Sequence, residues 1–256
     1  MKKLNLLFVF GLIFFTSFSE VNKNFKPKNV YETYDMIAEV YNTDFSTSAN
    51  VSVDYNNQAV NIIDNSPYSG YYVEYYPSGS IKSIKNFKNG KLEGDSFFYS
   101  SAGTLEKIAS YKNGSKTGSE TEYYDNGSPK AYREYVNGVQ NGLEYNYDDT
   151  GLLKTVFTYK YGAKNGEAYK FSDGIVIEKE FYANNKLEGE AQSFYANGKK
   201  KSSGTFKNDY RDGKWLWYHP DGELKLEETY VSGKALGDIK GFFPDGSVER
   251  NISLVN

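Results

Sequence analysis

Large aromatic rings recur along the chain every 12 residues, with polar residues and glycine between them. Twelve residues accommodate a strand of about six residues and a turn. The pattern therefore predicts one strand per ring and one β-hairpin per 24 residues, with the rings as core or as a ladder between strands. One series of rings consists of Tyr75, Tyr99, Tyr123, Tyr147, Phe171, Phe194, Tyr218 and Phe242. The second series lies midway between them and consists of Phe87, Tyr111, Tyr135, Tyr159, Tyr182, Phe206 and Tyr230.

Glycine follows the same period. An aligned glycine, which we expect to end a turn, recurs at intervals of 24 residues with a single interval of 23: Gly70, Gly94, Gly118, Gly142, Gly166, Gly189, Gly213 and Gly237. Asn-Gly and Asp-Gly pairs, from Asn89-Gly90 to Asp245-Gly246, are favoured in hairpin turns because both residues accept positive φ. Positions within each unit are numbered from the aligned glycine as G+1, G+2 and so on.

Hairpins joined by such short links predict an all-β fold, an elongated single-sheet antiparallel meander. Residues 68–256 hold eight repeat units, and residues 49–67 predict a degenerate first hairpin that begins the sheet in phase. Residues 20–48 predict a leader with a short capping helix, since Val30, Tyr34, Ile37 and Tyr41 have helical spacing.

Residues 1–19 have the features of a secretory signal peptide. Lys2 and Lys3 precede an apolar run at residues 4–15, which is too short to span a bilayer, and small residues follow it. We therefore expect an exported protein, periplasmic or secreted, whose signal peptide is cleaved and whose mature chain has no transmembrane segment. The chain has no cysteine, so we expect neither a lipoprotein anchor nor disulfides.

The composition offers little catalytic chemistry. The formal net charge is −3 with the charges interleaved, which disfavours nucleic-acid binding. His219 is the single histidine, and neither a nucleophile elbow nor a phosphate-binding loop is present. We therefore expect a non-enzymatic protein with no catalytic, cofactor-binding or metal-binding residues.

The seventh unit carries the strongest candidate for a binding surface. Trp215, Trp217 and His219 occupy G+2, G+4 and G+6, where most units have small or polar residues. Tyr195 and Phe243 occupy G+6 in the flanking units. Such an aromatic patch can stack sugar rings or anchor side chains of a partner. The alternative is a structural patch that packs under the C-terminal tail or the N-terminal helix.

The run from Phe87 to Gly94 contains the pattern aromatic-x-Asn-Gly-x-x-x-Gly, which recurs from Tyr111 and from Tyr135. This pattern resembles the variant MORN repeat, specifically the bacterial YwqK-like group. The resemblance covers about residues 68–256 and implies an elongated sheet of hairpins that acts as a binding or spacing scaffold. Proteins with MORN repeats are associated with protein assembly and, less securely, with phospholipid surfaces.

The leading hypothesis is an exported repeat scaffold that mediates protein–protein interaction. One alternative is a carbohydrate-binding module of the cell envelope, which would hold an envelope polysaccharide on exposed aromatic residues. Another is an immunity or antitoxin-type protein, a label often given to the YwqK-like group.

Overall fold

The computed structural model of the protein describes residues 50–254, and within this range it contains strands and turns but no α-helix. The predicted signal peptide and capping helix lie outside the described residues. The strands are β1 (Val51–Val53), β2 (Ala59–Asn61), β3 (Gly70–Tyr75), β4 (Ile81–Lys88), β5 (Lys91–Leu92), β6 (Gly94–Tyr99), β7 (Leu105–Lys112), β8 (Ser115–Tyr123), β9 (Pro129–Val136), β10 (Val139–Tyr147), β11 (Leu153–Lys160), β12 (Ala163–Ser172), β13 (Ile175–Ala183), β14 (Lys186–Leu187), β15 (Gly189–Phe194), β16 (Lys200–Lys207), β17 (Tyr210–Tyr218), β18 (Leu224–Val231), β19 (Lys234–Phe242) and β20 (Val248–Leu254).

Strands β3 to β20 form one antiparallel meander in which neighbours along the chain are neighbours in the sheet. The short strand β5 continues into β6, because β4 pairs with both of them. In the same way β14 continues into β15, because β13 pairs with both. The prediction of a single antiparallel meander of hairpins is confirmed. Contacts between strands are therefore made almost entirely by segments close in sequence.

Strands β1 and β2 form a separate two-stranded hairpin, so the prediction that this hairpin begins the main sheet in phase is wrong. The Ala59 amide donates to the Gly90 carbonyl, and the Tyr68 amide donates to the Ala59 carbonyl. Val51 and Ala59 pack in one cluster with Phe87 and Leu92 of the first repeats. The hairpin therefore covers apolar side chains of the sheet.

One type of turn contains two residues, both with positive φ, and it joins the second strand of each unit to the next unit. Asn89 and Gly90 are the first such pair, with φ of 50° and 77°. This confirms the hairpin turns predicted at Asn89-Gly90, Asn113-Gly114 and Asn137-Gly138. The other predicted pairs, which are Asn126-Gly127, Asn197-Gly198, Asp221-Gly222 and Asp245-Gly246, lie in turns where only the glycine has positive φ. The seven turns that join successive units form one edge of the sheet, the two-residue edge: Asn89-Gly90, Asn113-Gly114, Asn137-Gly138, Tyr161-Gly162, Asn184-Asn185, Asn208-Asp209 and Ser232-Gly233.

A side-chain oxygen just before the aligned glycine supports most of these turns. The amide of Asn113 donates to the Glu93 carboxylate, and the amide of Asn137 donates to the Thr117 hydroxyl, in each case across 20 residues. This contact was not predicted from the sequence. A recurring oxygen-bearing residue at this position was the available signal, and it continues in Ser69, Asn141, Glu188 and Asp212.

The other type of turn contains three residues and lies within each unit. The Gly79 amide donates to the Tyr76 carbonyl, and only the glycine has positive φ, as expected for a type I turn followed by a bulge. In the fifth unit this turn is reduced to Asp173-Gly174, with both residues at positive φ. The lost residue explains the single interval of 23. We call this side of the sheet the three-residue edge.

The aligned glycines do not end turns, which corrects the sequence expectation. Gly118 lies within β8 at φ of 104°, where the register shifts: Tyr111 pairs with Lys116, whereas Ala109 pairs with Glu120. Four residues of β8 thus correspond to two of β7, which is a β-bulge. Glycine is required because the bulge needs a backbone conformation that a Cβ disfavours.

The two series of rings lie on opposite faces of the sheet rather than in one row. Tyr230 pairs with Gly213 and lies on the face of Trp215 and Trp217, which we call the front face. Tyr218 lies on the opposite, back face with Leu216. The buried clusters reflect this division, since Phe87 belongs to one and Tyr99 to the other.

Tyr161 occupies a turn position at which three other units have asparagine immediately before glycine. Its φ is 53°, a conformation that is costly for a bulky side chain, and the side chain is 81% exposed. We expect Tyr161→Asn to increase the free energy of unfolding by about 0.5–1 kcal/mol, because asparagine tolerates positive φ. Denaturant titration measures this change. The reciprocal substitution Asn137→Tyr is the control, and a Tyr161→Asn protein less stable than the parent would contradict the prediction.

Candidate binding face

The two tryptophans lie together on the front face, but they differ in exposure. Trp215 is only 4% exposed, and its indole Nε1 donates to the Thr205 carbonyl at 3.0 Å. Its ring lies edge-on to Phe206 at 5.1 Å and 6.0 Å from the half-buried Trp217. Trp215 is therefore a structural residue, and Trp217 alone of the pair presents part of its ring to solvent.

Arg211 packs over these rings. Its guanidinium carbon lies 4.6 Å from the centre of Trp215, 5.5 Å from Trp217 and 5.4 Å from Tyr230. The guanidinium also donates to the Tyr230 hydroxyl at 3.3 Å, and that hydroxyl donates to Glu228. Such cation–π contacts are worth about 0.5–2 kcal/mol each. We call Phe206, Arg211, Trp215, Trp217 and Tyr230 the tryptophan cluster.

The residues at G+6 are not part of this cluster. The Tyr195 hydroxyl donates to the Tyr218 carbonyl at 2.7 Å, and His219 Nε2 lies 2.9 Å from the Phe242 carbonyl. Because a carbonyl only accepts, Nε2 carries the proton in this contact. Tyr76 and Tyr124 make the same bond 23 residues onward, so the position ties each unit to the next.

The expected five-residue patch is therefore divided by the structure. Trp215 and Trp217 belong to the tryptophan cluster, whereas Tyr195 and His219 contact backbone at the three-residue edge. Phe243 occupies the same G+6 position in the eighth unit and is 47% exposed. Alternation along the strand predicted correctly that both tryptophans lie on one face. The residue at G+6 immediately precedes the three-residue turn, so its side chain lies along the edge.

A cation two residues before the aligned glycine recurs on the front face, and it was not predicted from the sequence. The Lys116 ammonium lies 4.5 Å from the centre of the Tyr135 ring, and the Lys164 ammonium lies 3.5 Å from that of Phe157. Arg211 is the third example. In these three units the front face thus places a cation over an aromatic ring.

Carboxylates surround Arg133 at the centre of the front face. Its guanidinium lies 2.9 Å from Glu122 and 3.2 Å from Glu144. Glu120 is buried and lies 2.5 Å from the Lys116 ammonium and 3.7 Å from Arg133. We call Lys116, Glu120, Glu122, Arg133 and Glu144 the arginine network.

This environment changes the ionisation of nearby groups. Burial and the adjacent Glu120 carboxylate raise the pKa of Tyr135 to about 12. Burial acts to lower the pKa of Arg133, but the charges of Glu122 and Glu144 outweigh it and hold that pKa above its ordinary value. Tyr135 and Arg133 therefore keep their protons at neutral pH, so they supply a hydroxyl and a fixed positive charge rather than proton transfer.

The described part of the chain contains no group of three or more His, Asp or Glu residues placed to hold a metal ion. A shallow depression of about 460 Å³ lies over the first three units and is lined by residues that include Tyr76, Phe98, Lys107, Glu122 and Tyr123. Its lysines and carboxylates are mixed, and it opens widely to solvent. Across residues 50–254 there is also no helix capable of crossing a membrane.

The hairpin geometry agrees with a comparison against known families. Five segments match the family described as MORN repeat variant, namely residues 68–89, 92–113, 116–137, 187–208 and 211–232. These five segments are similar to MORN variant repeats. Each matched segment spans two strands and most of the turns around them. The fourth, fifth and eighth units have the same strand pattern but do not match the family. The fourth unit contains Tyr161, and the fifth contains the shortened turn.

MORN variant repeats are a non-enzymatic repeat type and commonly act as scaffolds for protein or lipid interactions. None of the curated proteins matches the chain. The chain is also similar to segments of solved structures, although it spans about a fifth or less of their length. At TM-scores below 0.2 this similarity carries no information on function.

Three of these solved structures illustrate the range of coverage and TM-score. A GtfA/B complex bound to UDP and GlcNAc is 14% identical, with 48% of this chain and 22% of that chain covered and a TM-score of 0.17. The Photorhabdus luminescens Tc holotoxin pore is 14% identical, with 77% and 14% covered and a TM-score of 0.16. Accessory secretory proteins 1, 2 and 3 of Streptococcus pneumoniae give 14% identity, 60% and 22% coverage and a TM-score of 0.14.

Proposed function

We propose that the protein is an exported, non-enzymatic repeat scaffold that binds another protein across the front face of its sheet. The observation that carries this proposal is the row of half-buried front-face rings that extends through successive repeats. These rings are Tyr111, Tyr135, Tyr159, Tyr182, Phe206 and Tyr230. Export is proposed from the signal-peptide pattern of residues 1–19.

The chemistry of the front face suits protein recognition. Tyrosine, tryptophan and arginine are enriched in protein interfaces because they offer large contact areas and polar groups at low entropic cost. Equivalent rings in successive units lie two strands apart, about 10 Å. A partner could therefore place side chains between consecutive rings, while Arg133 and its carboxylates give polar contacts that fix the orientation.

A matched pair of substitutions tests this proposal, since Tyr159 lies on the front face and Tyr145 on the back face of adjacent strands. Both side chains are half-buried. The parent protein and each variant, Tyr159→Ser and Tyr145→Ser, are immobilised and exposed to the secreted and envelope proteins of the source organism. We expect one stoichiometric protein to be retained by the parent and by Tyr145→Ser. Its affinity for Tyr159→Ser should be at least tenfold weaker, as for a residue at the centre of an interface.

The unfolding midpoints of both variants show whether they remain folded. Equal retention by the two variants, or no specific retention by the parent, would contradict binding through the front face. The role as an interaction scaffold would then need another surface.

Trp217 gives a specific reason to test the carbohydrate alternative. Its ring is half-buried and could stack a sugar, whereas Trp215 is buried and could not. Retention of envelope polysaccharide by the parent but not by Trp217→Ala would establish this function. Retention of one protein that is unaffected by Trp217→Ala would instead favour the scaffold.

A further inference from the structure

The two edges of the sheet carry opposite charge. For each turn, the turn residues and one flanking residue on either side define the edge. The two-residue edge then holds seven lysines and the single acid Asp209; the lysines are Lys88, Lys91, Lys112, Lys160, Lys186, Lys207 and Lys234. The three-residue edge holds seven acids and the single lysine Lys199; the acids are Asp125, Asp148, Asp149, Asp173, Asp221, Glu223 and Asp245.

These charges are available for contact. All seven lysines are exposed, and in the range 50–254 none of them forms an ion pair. Six of the seven acids are exposed, and Asp148 is half-buried with Lys154 3.6 Å away. Both edges belong to the same ladder, so successive turns on each edge are about 10 Å apart. The two edges are therefore matched in spacing as well as in sign.

The centre of each edge also exposes apolar side chains. On the two-residue edge these are Val136, Val139 and Tyr161, which are 47%, 44% and 81% exposed. Val139 lies beside the next turn, since a Cβ on Gly162 would be 3.5 Å from its methyl group. On the three-residue edge they are Leu152 and Ile175, which are 46% and 39% exposed. Tyr161 has an unfavourable φ of 53°, and strain of this kind is concentrated at functional positions.

We propose that the protein associates with a second copy of itself, with the two-residue edge of one copy against the three-residue edge of the other. Antiparallel sheets twist by about 20° per strand, so two edges can remain in contact over only a few repeats. The central repeats supply the contact: Val139 and Tyr161 of one copy pack against Leu152 and Ile175 of the other. Lys112 and Lys160 of the first copy face Asp125 and Asp149 of the second.

The association is weak and depends on salt. Exposed ion pairs contribute at most about 1 kcal/mol each, and the contact is smaller than the roughly 800 Å² per partner of a stable interface. Because the two edges differ, one copy of the pair keeps a free three-residue edge and the other keeps a free two-residue edge, so the contact can propagate into larger assemblies. This inference is independent of the front-face proposal, because it uses the edges alone.

Sedimentation velocity of the purified protein tests it at about 10 mM and about 1 M salt, where the Debye length is about 30 Å and 3 Å. We expect concentration-dependent association at low salt that is at least tenfold weaker at high salt. The double variant K112E/K160E has acidic residues on both edges at the proposed contact and should not associate with itself. The double variant D125K/D149K has lysines on both edges at the proposed contact and should behave in the same way.

A mixture of the two double variants should associate again at low salt, because each supplies the edge that the other lacks. This recovery also shows that both variants remain folded. Tyr161→Asn, which we expect to stabilise the fold, should weaken the association of the parent protein. A parent protein that is monomeric at low salt, or an association that is unchanged in both double variants, would overturn the proposal.

Discussion

Replacing Gly204 with alanine is expected to lower the free energy of unfolding by about 3 kcal/mol. A Cβ at this position would lie 2.3 Å from Trp215 Cδ2 and 2.4 Å from Cε2, well inside contact distance. Trp215 cannot move aside easily, because Phe206, Arg211 and the Thr205 carbonyl hold its ring. The variant must therefore strain the core, at about 1–3 kcal/mol, or lose the packing of a tryptophan, at about 3–5 kcal/mol.

Fluorescence gives a direct measurement of this change. The two tryptophans of the chain both lie in the tryptophan cluster, so tryptophan emission, excited where tyrosine does not absorb, reports on this site alone. We expect Gly204→Ala to shift the native emission to longer wavelength and to lower the denaturant midpoint. The double variant Gly204→Ala/Trp215→Ala should be no less stable than Trp215→Ala alone, because the alanine then has no ring to displace.

Gly241 provides a matched control. It also lies within a strand without positive φ, but the added Cβ would meet the side chain of Arg250, which is flexible and exposed. Gly241→Ala should change the stability by less than about 1 kcal/mol, since an exposed side chain can rearrange and alanine favours an ordered strand over glycine. Equal effects of the two substitutions would show that the fit of Trp215 over Gly204 does not stabilise the fold.

The ring spacing was sufficient to predict the strands but not their faces. Tyr218 and Tyr230 are 12 residues apart, an even number, and simple alternation would place them on one face. In the structure Trp217 pairs with Leu226 and Tyr218 pairs with Leu224, so Lys225 is an extra residue in β18. Because of this bulge, the residues of β18 that follow it lie on the opposite face from the one that simple alternation predicts. Spacing alone does not reveal a bulge, because the bulge depends on which turn type the local residues favour.

The candidate site was predictable only in part. Alternation along β17 correctly placed Trp215 and Trp217 on one face, because no bulge separates them. It could not show that Gly204 on the neighbouring strand leaves space for Trp215 to become buried, since that pairing depends on register. Arg211 was missed for the same reason. It lies before the bulge in β17, whereas Trp215 and Trp217, whose rings it covers, lie after the bulge.

Removing the charge of Arg133 is the second substitution with a large expected effect. In Arg133→Met the carboxylates of Glu122 and Glu144 lose their arginine partner, and the nearby buried Glu120 keeps the Lys116 ammonium as its remaining cation. The Tyr135 hydroxyl also still donates to Glu120. Removal of one member of a fully buried ion pair costs about 3–5 kcal/mol. The guanidinium side chain is 22% exposed, so water can partly solvate the remaining carboxylates. We therefore expect a loss of about 2–3 kcal/mol in the free energy of unfolding.

Lys179→Met is the matched control, because Lys179 forms a single cross-strand ion pair with Glu167 at 2.6 Å and both side chains are at least 40% exposed. Exposed pairs of this kind contribute about 0–1 kcal/mol, so Lys179→Met should lose less than about 1 kcal/mol in the free energy of unfolding. Urea titration of both variants measures the two losses. The triple variant Glu120→Gln/Glu122→Gln/Arg133→Met should recover part of the stability lost in Arg133→Met, because two of the carboxylates that repel one another become neutral. If Arg133→Met and Lys179→Met cost the same, the arginine network contributes no more than an ordinary surface ion pair. The central repeats would then be held together by their rings and backbone hydrogen bonds alone.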